Sequence, residues 1–340
     1  MLDATEKSIR NNKSSFAEML KNGNAEKPTE THSFTVITAK ELIDRPFTKL
    51  PMLVEGLIPS VGLSVFAGSS DLGKSSWLRQ FAIHLVNGEE RFCGFKLNPV
   101  HKNVVFVCSE DDASMTQHYL HNLKPNRSGL ESIRFIFDSV DLVGCIEKSI
   151  KETPADLVVV DCMLDFYGGA RSISQANELR AWLGPLKRIA NKYNTQVILL
   201  HHVGKRADEK EPNKANLLGS VGLEQAARLV LELRAGEEPN QRYLCILKAN
   251  FLPNTDKVDA HELKFEDFRF KSTGYRRPLI EIVKRSTERS GEQKEEMVLK
   301  VMELYKNGVS QSDIARQTMV PKTTVNRWIK TCSTQQTENP

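Results

Sequence analysis

Residues 62–86 read GLSVFAGSSDLGKSSWLRQFAIHLV: an apolar run, a polar turn bounded by glycines, then a segment with one apolar face. Leu63–Ala67 has the length and side-chain types of a buried strand, and Ser76–Val86 repeats its apolar residues at helical spacing. Between them Gly68, Ser69, Ser70, Asp71, Leu72, Gly73, Lys74 and Ser75 satisfy G-x-x-x-x-G-K-[ST] at every position. The glycines let the backbone wrap with its N–H groups aimed at a phosphate, and the helix start, with Ser76, adds a dipole favourable to negative charge. A strand–turn–helix in this order is a phosphate cradle. Lys74 would reach the β- and γ-phosphates and the Ser75 hydroxyl would ligate a metal, so ATP and Mg²⁺ are the expected cofactors.

The alternation continues outward. VVFVCSE (104–110), LVVVD (157–161) and QVILLHH (196–202) are short runs buried on both faces, with the helical LRAWLGPLKRIANKY (179–193) among them. Such runs separated by helical segments predict an α/β core, a mostly parallel sheet covered by helices. Further strands are expected at Ala227–Leu233, Arg242–Lys248 and Leu263–Phe270. Each of the first three runs ends in a polar group, where open α/β sheets bind ligands. Asp161 is the candidate metal-side carboxylate, the partner a P-loop needs on a neighbouring strand. In Ser109-Glu110-Asp111-Asp112, Glu110 is the candidate that polarises the attacking water, whereas Asp111 and Asp112 suit a solvated turn. His201-His202 invites a zinc reading, but neighbours on a strand face opposite ways and no Cys or His partner is near in sequence. One of the two is better read as a sensor of the γ-phosphate or of a bound polymer.

The chain has 340 residues, a formal net charge of +4 and six scattered cysteines without a C-x-x-C pair, so the cysteines read as reduced and structural. No run approaches the ~20 apolar residues of a membrane span, and the N-terminus lacks the apolar core of a signal peptide, so a soluble, cytoplasmic protein is expected. The expected organisation is a mobile tail over 1–33 with a possible short helix at Ser14–Lys21, an ATPase-type core over 34–273, and a charged linker over 274–293. A small helical domain over 294–334 and a tail over 335–340 complete it.

The series VEGLIP (54–59), the P-loop, VVFVCSEDD, LVVVD, VILLHHVGK, GSVGLEQAARLVLEL (219–233) and LKAN (247–250) resembles the RecA-like P-loop ATPases of the RepA-type hexameric plasmid helicases, over residues 36–270. The resemblance implies a homo-oligomeric, hexameric ring, nucleotide held between neighbouring subunits, and single-stranded DNA in the central channel. On it, Lys74 and Ser75 match the phosphate and Mg²⁺ residues, Glu110 the catalytic glutamate, Asp161 the metal-side aspartate, and His202 the residue linking nucleotide state to a DNA-facing loop. That loop would be Gly204–Ser220, charged and mobile, with Lys205, Arg206 and Lys214 on DNA; an ordinary surface loop fits it equally. Leu218 stands where such proteins commonly carry an arginine before Gly-Ser. The finger that completes a neighbour's site therefore falls to Arg228 or Lys248, and Arg228 fits a structural ion pair as well.

In the last segment, Met297, Val298, Val301, Met302 and Tyr305 share a helical face that ends at Gly308. Ser310 is an N-cap with Asp313 three residues on, and Pro321 opens another helix. This resembles a helix-turn-helix with Ile314, Ala315, Val320, Val325, Trp328 and Ile329 as its core, although Met319 occupies the turn where glycine is usual. Lys322, Thr323, Thr324, Asn326, Arg327 and Lys330 would face duplex DNA, and Arg276, Arg277, Lys284, Arg285 and Arg289 add positive charge upstream. A helical module for protein contact is the competing reading. Together these features predict a Mg²⁺-dependent, DNA-stimulated ATPase acting as a ring-forming helicase or translocase in the replication of a plasmid, phage or mobile element. The alternative is an ATP-switched DNA-binding regulator or recombination accessory protein that does not unwind; no pocket signature supports a small-molecule kinase.

Overall fold

The computed structural model describes residues 36–46, 49–168, 175–204, 207–217, 219–283, 291–318, 320 and 322–335. The expected N-terminal tail, with its helix at Ser14–Lys21, lies outside the described residues. The chain divides into two units, Met1–Lys49 and Leu50–Pro340. In the first, a short helix at Ala39–Asp44 starts from a capping box between Thr38 and Glu41.

The second unit is built on a nine-stranded sheet. Its strands are β1 (Gly62–Gly68), β2 (Val104–Cys108), β3 (Ile133–Ile136), β4 (Leu157–Asp161), β5 (Gln196–His202), β6 (Leu229–Ala235), β7 (Gln241–Ala249), β8 (Asp259–Glu266) and β9 (Arg269–Pro278). The order across it is β9-β8-β7-β6-β1-β5-β4-β2-β3. From β6 to β3 neighbours run parallel, and β7, β8 and β9 extend the sheet antiparallel. This is an α/β core on a mostly parallel sheet, as the sequence predicts. The parallel strands carry continuous apolar runs because both faces are covered: Phe66, Phe106, Val159 and Ile198 enter one core, and Val65, Val105, Val158 and Leu199 the other. The first core is anchored by Trp77, whose ring centroid lies 4.9 Å from Phe66 and 4.8 Å from Phe92.

The covering helices are α1 (Lys74–Val86), α2 (Ala113–Leu123), α3 (Leu142–Glu152), α4 (Met163–Tyr167), α5 (Ala176–Lys192) and α6 (Ser220–Ala226). Sequence reading omits β3, an edge strand whose four residues are only half-buried and are interrupted by Arg134. It also gives one strand at Leu263–Phe270, where the chain instead makes a hairpin. The turn sits at Asp267-Phe268, both left-handed (φ 49° and 63°). Such two-residue turns normally advertise themselves by Asn-Gly or Asp-Gly, and this one contains no glycine. β9 then runs to Pro278, so the core passes position 273 and the first part of the expected linker is strand. Arg277 is bound into it, donating to the Tyr243 hydroxyl and to Glu237, each at 3.0 Å. Lys284, Arg285 and Arg289 lie outside the described residues.

At the C-terminal end are α7 (Gly291–Lys306), α8 (Gln311–Thr318) and α9 (Lys322–Gln335). They close on Val301, Ile314, Val320, Val325 and Ile329, with Met297, Met302, Leu304, Ala315 and Trp328 packed around them. Leu304, rather than the exposed Tyr305, takes the inward position. The Ser310 hydroxyl caps α8, accepting from the Asp313 N–H at 3.2 Å. Met319, in the expected turn, lies outside the described residues.

The P-loop leaves β1 through Gly68, at φ 155°, where an added Cβ would stand 2.6 Å from the Leu233 carbonyl oxygen. That oxygen belongs to the adjacent strand and cannot turn aside. Gly68→Ala should therefore lower the unfolding free energy by about 1–3 kcal/mol, read as a lower denaturant midpoint; an unchanged midpoint would show that β1 and β6 can part there.

Candidate functional site

The parallel register brings the ends of β1, β5, β4 and β2 to one edge of the sheet. There the P-loop turns into α1 through Gly73, left-handed at φ 87°. Lys74 is buried and its ammonium donates to the Ser69 carbonyl at 2.7 Å. Burial holds its pKa below the usual lysine range, against the attraction of Asp161. Leu72 differs from the other loop positions because its side chain is buried in the core.

Asp161, at the end of β4, is buried and accepts a hydrogen bond from Ser75. Burial pushes its carboxyl above the ordinary range, and the Arg79 guanidinium opposes this most strongly. Arg79 is itself buried in α1. It pairs with Asp111 at 2.6 Å, lies 3.9 Å from Asp161, and stacks 4.9 Å from the Tyr119 ring. The second carboxylate oxygen of Asp161 is buried without a hydrogen-bond partner. An orphaned, desolvated carboxylate oxygen beside a serine hydroxyl is a donor set that fits a hard divalent cation such as Mg²⁺.

Glu110 is half-exposed at the end of β2, and its carboxylate lies 3.4 Å from His202 Nε2. His201, its neighbour, is buried on the opposite face, as strand alternation requires. Ser109 ties β2 to the end of β4: its hydroxyl accepts from the Cys162 N–H at 2.9 Å and donates to Asp165 at 2.7 Å.

Lys74, Ser75, Arg79, Glu110, Asp111 and His202 line a cavity of about 490 Å³. It brings together the predicted Ser70, Asp71, Gly73, Lys74, Ser75, Ser76, Glu110 and His202. Its other wall, missed by sequence reading, is aromatic: Tyr119 from α2 with Phe265 and Phe268 from the β8–β9 hairpin. Tyr119 and Phe268 stand 6.0 Å apart, centroid to centroid. No local signal marks them, because an aromatic on a helix or at a turn reads as core.

The described part of the loop after β5 is hydrogen-bonded to the P-loop and to β6. Asp208 accepts from the Ser69 hydroxyl of the P-loop at 2.5 Å. Arg234, buried in β6, donates to the carbonyls of Ala207 (2.7 Å) and Lys210 (3.0 Å) and pairs with Glu232 at 2.7 Å. A buried guanidinium needs several acceptors, and the loop backbone supplies them. Lys205, Arg206 and Leu218 lie outside the described residues, while Lys214 pairs with Glu224.

Arg228 is exposed and Lys248 half-buried, both at the opposite end of the sheet, with Lys248 bonded to the carbonyls of Glu224 and Ala227. On α9, Lys322, Thr323 and Arg327 are exposed, and Thr324 and Asn326 half-buried. The Lys330 side chain lies outside the described residues. Cys93, Cys108, Cys145, Cys162 and Cys245 are unbridged. Among the described residues no helix is long and apolar enough to cross a membrane.

A family model described as an AAA domain matches residues 26–208. A KaiC-like protein of the hyperthermophilic archaeon Pyrococcus horikoshii OT3 aligns at 16% identity and TM-score 0.48, over 65% of this chain and 93% of that one. A second solved structure, an ATPase domain, aligns at 16% identity and TM-score 0.47, over 63% of this chain and 85% of that one. No curated protein matches the chain.

Two outcomes follow from the buried charges. Arg79→Met leaves Asp161 without its main counter-charge and should destabilise the fold by about 3–5 kcal/mol. Adding Asp161→Asn should recover part of that loss in denaturant titrations, because it removes one of the two carboxyl groups, Asp111 and Asp161, that Arg79 faces. Burial pushes Glu232 up to about 7 from 4.5. A folded-state pKa raised in this way gives stability that is complete below pH 4.5 and lost as pH rises to about 7. Glu232→Gln should flatten that decline in melting temperature against pH; an identical slope would place the titration elsewhere.

Proposed function

The chain belongs to the AAA domain family and carries its nucleotide-dependent ATPase domain, and we propose that it is a Mg²⁺-dependent, DNA-stimulated ATPase working as a ring-forming DNA translocase or helicase. The setting would be replication of a plasmid, phage or other mobile element. The observation that carries this reading is the convergence of Lys74, Ser75, Glu110 and His202 on one cavity, with the buried Asp161 hydrogen-bonded to Ser75.

In this reading Lys74 exchanges the Ser69 carbonyl for the β- and γ-phosphate oxygens of ATP, while the P-loop N–H groups hold the remaining phosphate charge. Ser75 and Asp161 would hold Mg²⁺, which when bound supplies charge neutralisation between the phosphates. Glu110 orients a water and takes its proton as the water oxygen attacks the γ-phosphorus and ADP leaves. Tyr119 and Phe268 offer ring faces to the base. His202 touches Glu110 on one side and leads into the loop after β5 on the other. It is therefore suited to report the γ-phosphate to Lys205, Arg206 and Lys214, the candidate contacts to single-stranded DNA. Arg228, exposed at the far end of the sheet, is the better finger for a neighbouring subunit, because Lys248 is committed to two carbonyls of its own chain. Duplex DNA would meet Lys322, Thr323, Thr324, Asn326, Arg327 and Lys330 on α9.

The test is ATP hydrolysis by the full chain, titrated with single-stranded and then duplex DNA. Strong stimulation by single strands, followed by unwinding of a forked duplex, supports the motor. A low rate unmoved by single strands, with tight duplex binding, supports a nucleotide-switched regulator instead. Glu110→Gln should keep ATP binding while slowing turnover by about 10²–10⁴-fold, and Lys74→Ala should abolish turnover with the fold intact. Full turnover in the Lys74 variant would overturn the site.

A further inference from the structure

We propose that Glu110, Cys162 and His202 form a second metal site in the wall of the nucleotide cavity, one that takes a thiophilic divalent cation of the zinc class and withdraws Glu110 from water activation when filled. A carboxylate oxygen, the Cys162 sulfur and an imidazole nitrogen lie within 4.8 Å of one another. The three come from the ends of β2, β4 and β5, which are consecutive across the sheet. Strands stand ~4.8 Å apart, so the sheet itself sets the spacing of the ligands.

Zinc binds sulfur at ~2.3 Å and nitrogen or oxygen at ~2.0 Å, which puts tetrahedral ligand atoms about 3.3–3.5 Å apart. Glu110 and His202, at 3.4 Å, already have that separation. Closing the site requires only that these two side chains move toward the buried thiol. Glu110, 48% exposed, has the freedom to do so. As the Zn–S bond forms, the Cys162 S–H bond breaks and its proton passes to solvent; no electron changes hands. Three protein ligands leave the fourth position to water or a phosphate oxygen.

The donor set also separates this ion from the one that ATP brings. Sulfur and imidazole favour Zn²⁺ over Mg²⁺, whereas Ser75 and Asp161 offer the oxygen ligands that Mg²⁺ demands. A zinc reading of His201-His202 fails in sequence because no Cys or His is near; the fold supplies Cys162 from the adjacent strand. That the filled site stops hydrolysis rests on the role proposed for Glu110; that it binds metal does not.

The test uses the full chain and Co²⁺ as a coloured substitute for zinc. One equivalent should bind with tetrahedral visible absorption and a thiolate-to-cobalt band in the near ultraviolet, both removed by Zn²⁺. Cys162→Ser should lose the near-ultraviolet band, and His202→Ala should weaken Co²⁺ binding at least tenfold, with circular dichroism confirming each fold. In parallel, micromolar Zn²⁺ should inhibit ATP hydrolysis of the parent at saturating Mg·ATP, and Cys162→Ser should resist it. Absence of the charge-transfer band in the parent, or its survival in Cys162→Ser, would overturn the site. If Cys162→Ser does not fold, undiminished Co²⁺ affinity in His202→Ala has the same force. A cobalt band in a chain that hydrolyses no ATP would leave the metal site standing and remove the ATPase reading, so the two fail separately.

Discussion

Arg79 holds the chemistry of the cavity in place. One and a half helical turns after Lys74, its guanidinium is buried between Asp111 and Asp161 and lies over Tyr119. Parallel strands force their terminal acids toward one another, and a carboxylate as buried as Asp161 would take up a proton without a counter-charge. The guanidinium is the strongest counterweight to that uptake, although burial still leaves the carboxyl above its ordinary range. It also fixes α1 against the ends of β2 and β4, so the P-loop and Asp161 share one frame. The P-loop supplies its ligands through backbone geometry, but their position relative to Asp161 depends on this one desolvated cation.

On the opposite side of the P-loop a second buried guanidinium plays a related part. Arg234 gathers Glu232 and the loop carbonyls of Ala207 and Lys210, and Asp208 in that loop accepts from Ser69. The P-loop is thus hydrogen-bonded directly to the segment that sequence reading assigns to DNA. A change at Ser69 has two physical routes outward: through Asp208 into the loop, and through Lys74, whose ammonium sits on the Ser69 carbonyl. The antiparallel extension closes the remaining wall, because the β8–β9 hairpin carries Phe265 and Phe268 over the cavity.

How much of this is legible in sequence depends on the range of the interaction. The P-loop is written in consecutive residues, since glycine conformations and a helix start are local requirements. Asp161, Glu110 and His202 are legible because each is a polar residue closing an apolar run, a pattern that marks the end of a buried strand. Arg79 is not: an arginine on an amphipathic helix reads as a solvated face, and only the convergence of β2 and β4 reveals what it neutralises. Tyr119, Phe268 and Asp208 share that fate, each joining the site across a long stretch of chain. The β8–β9 hairpin is hidden for a different reason, because Asp267 and Phe268 adopt left-handed backbone without the glycine that would announce it.

The two ends of the sheet carry different obligations. In the parallel pairing of β6 with β1, Leu229 lies opposite Ser64 and Leu233 opposite Gly68. Arg228, just before Leu229, is therefore at least four residues of extended chain, ~13 Å, from the phosphate cradle. Lys248, opposite Val230, lies at the same end. Neither side chain is placed to complete the cavity of its own subunit. A cation at that end serves a phosphate only on another copy, and it does so only if the carboxyl edge of one sheet meets the amino edge of the next. That is a head-to-tail contact between unlike surfaces, the class of interface that generates rings when the rotation closes and open helical filaments when it does not. The polarity of the sheet, fixed by the strand order, thus constrains the assembly that a trans-acting Arg228 would require.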